Sequence, residues 1–494
     1  MSKIMPMRGL LPFCPGVSPL AACSIGLTLA TALALAPAAP ATAEPATASV
    51  SAVTAVPATA VPASAATAAT VRGQAAVPGS TRSLPLVPLS PERVLGGAPE
   101  QGLYRAGLHR FSLVGVVWTD PDTELRGRVR VRTRSAVTGQ WSGWQDIETH
   151  NADHGADPDT AEGSSRRVRG ATAPLWVGDS DGVDVRVRAE GPGDGNGARL
   201  PSGRRAGRPG ASLPPGLRLE LVDPGDGVSG EGAPGNPPGD DPPRTALDTE
   251  AALAASAANA DITAFGATAI PELDRSATEQ ELTRLQGPVR GKPYIGPRPR
   301  IVTRRGWGAD ESLRERGFVY TKKIKAAFVH HTATGNAYTC AQAPSVIRSI
   351  YRYHVKSMGW RDIGYNFLVD KCGTLYEGRA GGVAKAVLGA HTLGFNTDSM
   401  GIAVIGTYGT TKPSSAAVTA IARLTAWKLG LYGANPNGKT YLTSGGGNLY
   451  PKGKNVRLNV ISGHRDGFAT ECPGKRLYAR LGTARSSAAS YQGR

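Results

Sequence analysis

Two long stretches that lack apolar periodicity divide this chain and limit how much of it can build a core. Residues 44–95 are rich in Ala, Val, Pro and Thr, while residues 224–297 open with Pro, Gly and Asp and end in Pro and Arg. Such composition buries too little apolar surface to offset the entropy lost on ordering. We therefore predict long disordered linkers at 44–95 and 224–297, the second with a short alanine-rich helix near residues 249–258. Folded units are expected at 96–223 and 298–484.

The first 43 residues have the pattern of an export signal. Lys3 and Arg8 give a positive start, residues 20–36 are almost wholly apolar, and residues 41–43 (ATA) supply the small residues of a cleavage site. The apolar run is short and no polar stop follows it, so we predict cleavage and secretion rather than a stable membrane span. Lipidation at Cys23 is disfavoured, because residues 10–22 before it contain three prolines and a glycine.

The formal net charge of +17 favours an acidic surface or polymer as a partner. Nucleic acid and an anionic cell wall would both satisfy it, and the charge alone does not choose. The sequence has no recognition-helix or base-stacking-strand signature of the usual kinds, so we do not predict nucleic-acid binding. Anionic wall polymers remain the candidate partner of this class.

Residues 96–223 show strand patterns and no helical period. An apolar run covers residues 111–118, Arg and Val alternate over residues 128–132, and the alternation returns at residues 183–187 and 217–221. These patterns predict a small all-β accessory domain of the β-sandwich type. The arginines on its strands could bind an anionic polymer, but we favour the simpler interpretation that they form the solvated face of a sheet.

From residue 301 onward the apolar periodicity becomes regular. Helical spacing covers residues 344–355 and 414–431, and strand patterns are predicted at residues 324–329, 364–369, 374–376, 401–405 and 456–460. Strands interspersed with helices predict an α/β domain with a mixed central β-sheet and covering helices.

Two histidine sites follow predicted strands of this unit. His330 comes directly after the first strand and His464 lies close behind the last, with Cys472 eight residues beyond His464. A sheet edge that gathered them would present two imidazoles and a thiolate, which suit zinc. Three protein ligands leave a fourth position for water, whose pKa the metal would lower to about 7. The spacing suggests this site without establishing it, because a single histidine is more often a packed or surface residue.

Several motifs of this unit resemble those of peptidoglycan recognition proteins and their zinc-amidase relatives, including the phage lysozyme-amidases. They occur in the order of that family, over roughly residues 300–482. The motifs are IVTRRGWGA at 301–309, VHHTA at 329–333, WRDIGYNF at 360–367, YEGR at 376–379, GAH at 389–391, GHRD at 463–466 and CPG at 472–474.

The resemblance implies that His330, His464 and Cys472 hold a zinc ion. In catalytic members the first histidine of the pair binds the metal, so His331 is expected to pack or hydrogen-bond beside it. Tyr365 matches a tyrosine whose hydroxyl lies beside the metal-bound water and the scissile amide. Thr470 matches a position occupied by Lys or Thr, where it would stabilise the developing oxyanion.

The resemblance also implies substrate contacts. Gly359 and Trp360 match a pair that, in related proteins, goes with diaminopimelate-type stem peptides rather than lysine-type ones. Asn366 and Arg379 look like groove-facing residues. His354 and His391 also lie in family motifs, and we expect packing or substrate contact for them rather than metal ligation.

The cysteine count fits this assignment. Removal of the export signal leaves Cys340, Cys372 and Cys472, and an oxidising compartment favours pairing. One disulfide and one metal-bound thiolate account for all three. Together with the resemblance, this predicts a Cys340–Cys372 disulfide, although many animal relatives place these cysteines somewhat differently.

These observations predict a secreted, cell-wall-associated N-acetylmuramoyl-L-alanine amidase. With zinc as its cofactor, it would hydrolyse the amide between N-acetylmuramic acid and L-alanine of peptidoglycan, in wall remodelling or lysis. The alternative is a binding protein of the same fold that recognises wall fragments without cutting them. Non-catalytic relatives typically lack the cysteine ligand, and this chain retains Cys472, so we favour the enzyme.

Overall fold

The computed structural model describes residues 79–89, 99–149, 151, 153–191, 212–226, 249–288 and 290–494. The predicted export signal lies outside these residues, as do most of the first predicted linker and residues 227–248 of the second. Within the described part of the chain, no helix combines the length and apolar character needed to cross a membrane.

The accessory domain is built from nine strands among the described residues. They are β1 (Ser80–Pro85), β2 (Val87–Pro88), β3 (Glu100–Arg105), β4 (Phe111–Trp118), β5 (Gly127–Ser135), β6 (Gln145–Ile147), β7 (Gly170–Ala171), β8 (Leu175–Ala189) and β9 (Arg218–Asp223). The long strand β8 pairs with β4 through its first half and with both β3 and β5 through its second half. It therefore passes from one layer of strands to the other.

One apolar core fills the space between these layers. Alternate residues of β5 and β8, such as Val129 and Val185, pack in the same buried cluster as Val114 of β4 and Leu219 of β9. The strict Arg–Val alternation places the valines in this core and the arginines outside it, as a strand period of two requires. The predicted β-sandwich-like accessory domain is confirmed.

The first predicted linker, 44–95, ends too late in the sequence. Strand β1 lies inside it and pairs antiparallel with β9 over its whole length, from Ser80 opposite Asp223 to Pro85 opposite Arg218. Because β1 consists mostly of small and polar residues, its sequence has no clear strand pattern. The strand is formed by its pairing with β9, which local composition does not indicate.

The C-terminal domain contains a seven-stranded mixed sheet in the order β10-β11-β14-β13-β15-β12-β18. Its strands are β10 (Ala269–Ile270), β11 (Ile301–Val302), β12 (Ala326–His331), β13 (Phe367–Val369), β14 (Leu375–Glu377), β15 (Ser399–Val404) and β18 (Ile461–Gly463), and a separate hairpin pairs β16 (Lys439–Thr443) with β17 (Asn455–Asn459). The helices are α1 (Glu250–Ala257), α2 (Arg275–Gln286), α3 (Ala343–Arg352), α4 (Ser415–Gly430), α5 (Lys475–Tyr478) and α6 (Leu481–Gln492). The predicted α/β class is confirmed.

Helices cover both faces of this sheet. Residues of α4 and α6, including Ile421 and Leu481, pack in one buried cluster with Val329 of β12. Residues of α3, including Ile347, pack in another cluster with Leu368 of β13. A disulfide joins Cys340, just before α3, to Cys372, in the turn between β13 and β14, as the sequence predicts.

The second predicted linker, 224–297, is largely structured where the structure describes it. The alanine-rich helix α1 is confirmed and begins after Thr249, whose side chain accepts a hydrogen bond from the Ala252 amide. Helix α2 was missed because most of its residues are polar. It begins after Asp274, which caps the Ala277 amide, and it buries Leu282 against the C-terminal domain. Helix α6 also extends beyond the predicted end at residue 484.

The accessory domain and the C-terminal domain share a core. The face of β4 and β9 that points away from the accessory core carries Leu113 and Val222, which pack with Ile350 of α3 in one buried cluster. Beside this contact, the Tyr353 hydroxyl donates to the Thr172 carbonyl at 3.0 Å. Strand β4 is therefore apolar on both sides, which explains why its sequence is a continuous run without alternation.

Gly115 lies where β4 approaches this helix most closely. A Cβ atom there would overlap the hydroxyl end of Tyr353, which is fully buried and held by its hydrogen bond. We expect Gly115→Ala to lower the free energy of unfolding by about 1–3 kcal/mol, the usual cost of overpacking. Urea unfolding measures this. At Gly143 a Cβ atom meets nothing within 4 Å, so Gly143→Ala should stay within about 0.5 kcal/mol of the unsubstituted chain. Equal stability of the two variants would contradict the close approach.

Candidate metal centre

Two neighbouring parallel strands place His330 and His464 side by side. Strands β12 and β18 pair so that Val329 lies opposite Gly463. His330 and His464 are the next residues along each strand, at the same edge of the sheet. Their ring centroids are 4.5 Å apart, and both side chains are fully buried.

A short loop returns Cys472 to this pair. Its two ends are held together by a hydrogen bond from the Arg465 amide to the Cys472 carbonyl, 3.1 Å long. The Cys472 amide donates to the Thr470 hydroxyl, also at 3.1 Å. The Cys472 Sγ atom then lies 3.7 Å from His330 Nδ1. The structure therefore brings together the three residues that the sequence predicts as metal ligands.

A fourth donor comes from the accessory domain. His154 Nε2 lies 3.9 Å from Cys472 Sγ, and the His154 ring centroid is 4.6 Å from that of His464. One ligand atom from each of His154, His330, His464 and Cys472 lies within 4.8 Å of the others. The sequence prediction did not include His154.

Two histidines of this cluster, His330 and His464, are held in the neutral form. Burial, together with the neighbouring histidines, lowers the pKa of His330 well below its usual value. Burial likewise lowers the pKa of His464 to about 3, against the opposing charge of Asp153. Neutral imidazole is the form that binds metals.

The surroundings of the cluster fit a zinc ion. His464 Nε2 donates to the Asp153 carbonyl at 3.1 Å, while the buried Nδ1 has no hydrogen-bond partner among the described residues. Burial raises the pKa of the Cys472 thiol well above its usual value, so a thiolate here needs a cation beside it. Nitrogen and sulfur donors in this combination are those that zinc prefers.

The other motif histidines support the cluster rather than join it. His391 Nδ1 lies 3.3 Å from His330 Nε2 and so fixes the orientation of that ring. His331 Nδ1 accepts a hydrogen bond from the Tyr408 amide, and His354 Nδ1 accepts one from the Gly364 amide. All three belong to packing and hydrogen bonding, as predicted.

Tyr365 lies against the cluster. Its ring centroid is 5.6 Å from that of His330 and 5.9 Å from that of His154. Burial, with the nearby Cys472 and Asp153, raises the pKa of its phenol well above the usual value. The hydroxyl is therefore a hydrogen-bond donor at any physiological pH.

The four predicted substrate contacts separate into two kinds. We call the pocket of the C-terminal domain lined by Arg361, Arg379, Leu388 and Asn396 the groove. The Arg379 guanidinium lies there, where it donates to the two oxygens of the Glu162 carboxylate at 2.7 and 2.8 Å and to the Ile363 carbonyl at 2.9 Å.

The side chain of Asn366 instead bonds to backbone groups. Its side-chain nitrogen donates to the Val387 carbonyl and its side-chain oxygen accepts from the Gly401 amide, so both polar atoms bond to backbone. Its contact with substrate stays a prediction.

Gly359 and Trp360 lie beneath the accessory domain. Gly359 has a φ of 79°, and a Cβ atom there would overlap the Arg167 carbonyl. Trp360 is buried and packs against His354 with ring centroids 4.4 Å apart and ring planes tilted by 40°. Residues of the accessory domain thus cover the pair that the family resemblance associates with stem-peptide type.

Sequence reasoning missed three residues of this site: Asp153, His154 and Glu162. They lie in a part of the accessory domain that has neither strand nor helix pattern, and their contacts with the C-terminal domain are with residues more than 150 positions away. A histidine next to an aspartate within an acidic loop is the only local signal.

Comparisons with known proteins match parts of this chain. Residues 320–475 match the N-acetylmuramoyl-L-alanine amidase family model, and residues 57–210 match the Rv3811 N-terminal galactose-binding domain-like model. Peptidoglycan-recognition protein SC2 of Drosophila simulans is 31% identical over 183 residues, which cover 37% of this chain and 85% of that protein. Peptidoglycan-recognition protein SC1a of Drosophila melanogaster is 32% identical over 192 residues, or 38% of this chain and 87% of that protein.

Solved structures of the same group are also similar. Drosophila PGRP-LB shares 26% identity, with a TM-score of 0.29, over 37% of this chain and 92% of that chain. A complex of peptidoglycan recognition protein-LE with tracheal cytotoxin, a monomeric diaminopimelic acid-type peptidoglycan, shares 30% identity, with a TM-score of 0.29, over 37% of this chain and 92% of that chain. On the sequence identity and coverage of the Drosophila relatives, the chain belongs to the family of peptidoglycan recognition proteins and N-acetylmuramoyl-L-alanine amidases.

Proposed function

We propose that this protein is a secreted, zinc-dependent N-acetylmuramoyl-L-alanine amidase that cuts peptidoglycan between N-acetylmuramic acid and L-alanine. Family membership supports peptidoglycan binding or amidase activity. The observation that favours the enzyme is the convergence of His330, His464 and Cys472 at one buried point beside Tyr365. A protein that only binds wall fragments has no need for a buried thiol next to two neutral imidazoles.

Each residue of the site would have a separate role. His330, His464 and Cys472 would hold zinc, which when bound supplies an activated water and polarises the scissile carbonyl. His391 and the Asp153 carbonyl orient the two imidazoles. Tyr365, a neutral donor in a dry site, would stabilise the negative charge that develops on the carbonyl oxygen. Thr470 lies two residues from the cysteine and would assist.

The groove would hold the stem peptide by its carboxylates. Arg379 and the Arg361 amide already bind the Glu162 carboxylate, the amide at 3.1 Å. The same two groups would donate to a carboxylate of the stem peptide. Together with Gly359 and Trp360, this supports a diaminopimelate-type peptide, whose side chain ends in an additional carboxylate.

The proposed activity is tested on purified diaminopimelate-type peptidoglycan. We expect the zinc-loaded protein to release intact stem peptides with new L-alanine amino termini, and a chelator to stop the release until zinc returns. Mass spectrometry of the products measures this. Cys472→Ala should weaken zinc binding and abolish release, because it removes the sulfur ligand, whereas His109→Ala, which changes an exposed histidine of the accessory domain, should leave both intact. Cleavage within the glycan strand would refute the proposal.

The role of Tyr365 is separable from metal binding. Tyr365→Phe removes only the hydroxyl, so zinc content should stay at the unsubstituted level. We expect kcat to fall by about 10²–10³, the usual effect of losing one donor to a developing oxyanion. Steady-state kinetics on a soluble muropeptide, with zinc measured in the same samples, checks this. A loss of zinc in parallel with activity would show that the tyrosine acts on the metal site instead.

The accessory domain would contribute affinity for anionic wall polymers. Arg130, Arg132 and Arg186 place their guanidinium groups 5.0–5.5 Å from the centre of the Trp144 ring, on the face away from the core. We call these four residues the arginine patch. Such a surface offers both positive charge and a flat apolar ring to a polymer.

The arginine patch is tested with wall fragments that retain their anionic polymers. Replacing Arg130 and Arg186 by Gln together should weaken binding several-fold at low salt and little at high salt, because screening already removes the contribution of exposed charges. Co-sedimentation measures the bound fraction. Arg110→Gln, an exposed arginine of the same domain outside the patch, serves as the control for net charge. Equal loss in the control would assign the effect to total charge rather than to the patch.

A further inference from the structure

Residues 153–169 of the accessory domain lie along the groove of the C-terminal domain, and we call them the covering segment. We propose that the covering segment keeps the enzyme latent, with His154 as a fourth metal ligand and Glu162 in the place of a substrate carboxylate. This inference rests on the proposed amidase function. It adds that the described conformation is the closed one, and that activity requires displacement of the segment.

The position of His154 relative to Cys472 is that of a ligand. Zinc–sulfur and zinc–nitrogen bonds of about 2.3 and 2.0–2.1 Å at tetrahedral angles put the nitrogen and sulfur about 3.6 Å apart. The His154 Nε2–Cys472 Sγ distance is 3.9 Å, close to the 3.7 Å between His330 Nδ1 and the same sulfur. The distance from His154 to the Cys472 sulfur is therefore close to that of His330, which the family resemblance predicts as a ligand.

Asp153 orients His154 for this role. Its Oδ1 atom lies 3.0 Å from His154 Nδ1, so Nδ1 carries the proton and Nε2 is left with its lone pair toward the cluster. A carboxylate behind a histidine is the usual support of a metal-ligating imidazole. The Asp153 backbone carbonyl also accepts from His464 Nε2 and from the Leu393 amide. One residue of the covering segment thus contacts two of the four donors.

The four donors together make a closed site. Structural zinc sites have four protein ligands, whereas catalytic sites have three and keep a position for water. With His154 in place, the cluster of three histidines and one cysteine belongs to the first kind. Withdrawal of His154 would convert it to the second without any change in the C-terminal domain.

Anchors beyond the metal fix the segment in the groove. Asp157 Oδ1 accepts from the Gly394 amide at 2.7 Å and from Asn396 Nδ2 at 2.8 Å. Asn396 Nδ2 also donates to the Gly155 carbonyl. Asp157 is 8% exposed, so these bonds are shielded from water. They hold the backbone next to His154 in one conformation.

Glu162 occupies the carboxylate site of the groove. Its two oxygens accept from Arg379 at 2.7 and 2.8 Å, and one of them also accepts from the Arg361 amide. Both side chains are buried, at 9% exposure for Glu162 and 8% for Arg379. Burial would raise the pKa of the Glu162 carboxyl, but Arg379 holds it below its usual value. A substrate carboxylate and Glu162 cannot bind this arginine at the same time.

The C-terminal end of the covering segment lies over Gly359. The Arg169 amide donates to the Met358 carbonyl at 3.1 Å, and the Arg167 carbonyl packs over Gly359. The covering segment therefore spans the groove from the metal cluster to Gly359. Metal access and substrate access are blocked by one continuous piece of chain.

The metal ligation is tested without any activity measurement. In the full-length protein loaded with cobalt(II) in place of zinc, we expect a four-coordinate spectrum that azide does not change, since no exchangeable position remains. In His154→Ala, water takes the fourth position, and azide should alter the absorption bands. Zinc X-ray absorption should likewise show three nitrogens and one sulfur in the unsubstituted chain. A cobalt spectrum of the unsubstituted chain that responds to azide as His154→Ala does would overturn the proposal.

The occlusion is tested by kinetics on a soluble muropeptide. Because only molecules with a displaced segment can bind substrate, apparent KM rises as that fraction falls. We expect His154→Ala and Glu162→Gln each to raise kcat/KM by about tenfold or more, since each removes one anchor. Glu190→Gln, which changes an exposed glutamate of the same domain, should behave as the unsubstituted chain. Loss of activity in Glu162→Gln or His154→Ala, with zinc retained, would contradict the proposal.

The two proposals fail in distinguishable ways. If no variant cleaves peptidoglycan, the amidase function is refuted, and the cobalt spectra still decide whether His154 fills the fourth position. If the unsubstituted chain cleaves as fast as both variants and its cobalt form binds azide, the amidase function stands and the latency is refuted. Glu162→Gln lies outside the metal cluster, so it also serves where His154→Ala proves unstable.

Discussion

The register between β12 and β18 is the constraint on which the site depends. Because Val329 lies opposite Gly463, the residues that follow them, His330 and His464, emerge at the same edge with their rings in contact. A shift by one residue would send one imidazole to the opposite face. The loop to Cys472 adds a third donor to a geometry that the sheet has already fixed, which is why two histidines 134 positions apart in sequence can share one ion.

The shared core between the two domains is the second constraint. Strands β4 and β9 are buried on both faces, one in the accessory core and one against α3. An accessory domain held only by flexible linkers could not place His154 to within an ångström of a ligand position. Because apolar packing fixes the orientation of the sheet, the loop that carries residues 153–169 reaches the groove in one position. The precision of the cluster thus rests on an interface that contains none of its ligands.

Much of this could be predicted from the sequence, and the exceptions have physical causes. Strand ends that carry His330 and His464 are visible because apolar runs stop there, and the motifs around them identify the family. Strand β1 and helix α2 were not visible, since β1 is stabilised by pairing with β9 and α2 is polar apart from Leu282. The hydrogen bonds of Asn366 to the Val387 carbonyl and the Gly401 amide were not visible either, because a motif position does not show which backbone groups a side-chain amide will hold. His154 was beyond reach, since local pattern carries no information on contacts made across domains.

A covering segment that belongs to the same chain makes latency independent of protein concentration. Because the segment belongs to the chain, its effective concentration at the groove does not change on dilution, so a substrate displaces it more readily where substrate carboxylates are locally concentrated. The same competition gives a role to two acidic residues in the first part of the segment, since Asp157 and Glu162 both accept hydrogen bonds from donors of the C-terminal domain. Attraction of the arginine patch to an anionic polymer would raise the local concentration further. Under this scheme the wall itself both recruits the enzyme and displaces its inhibitor, and the balance between the closed and open sites follows from mass action alone.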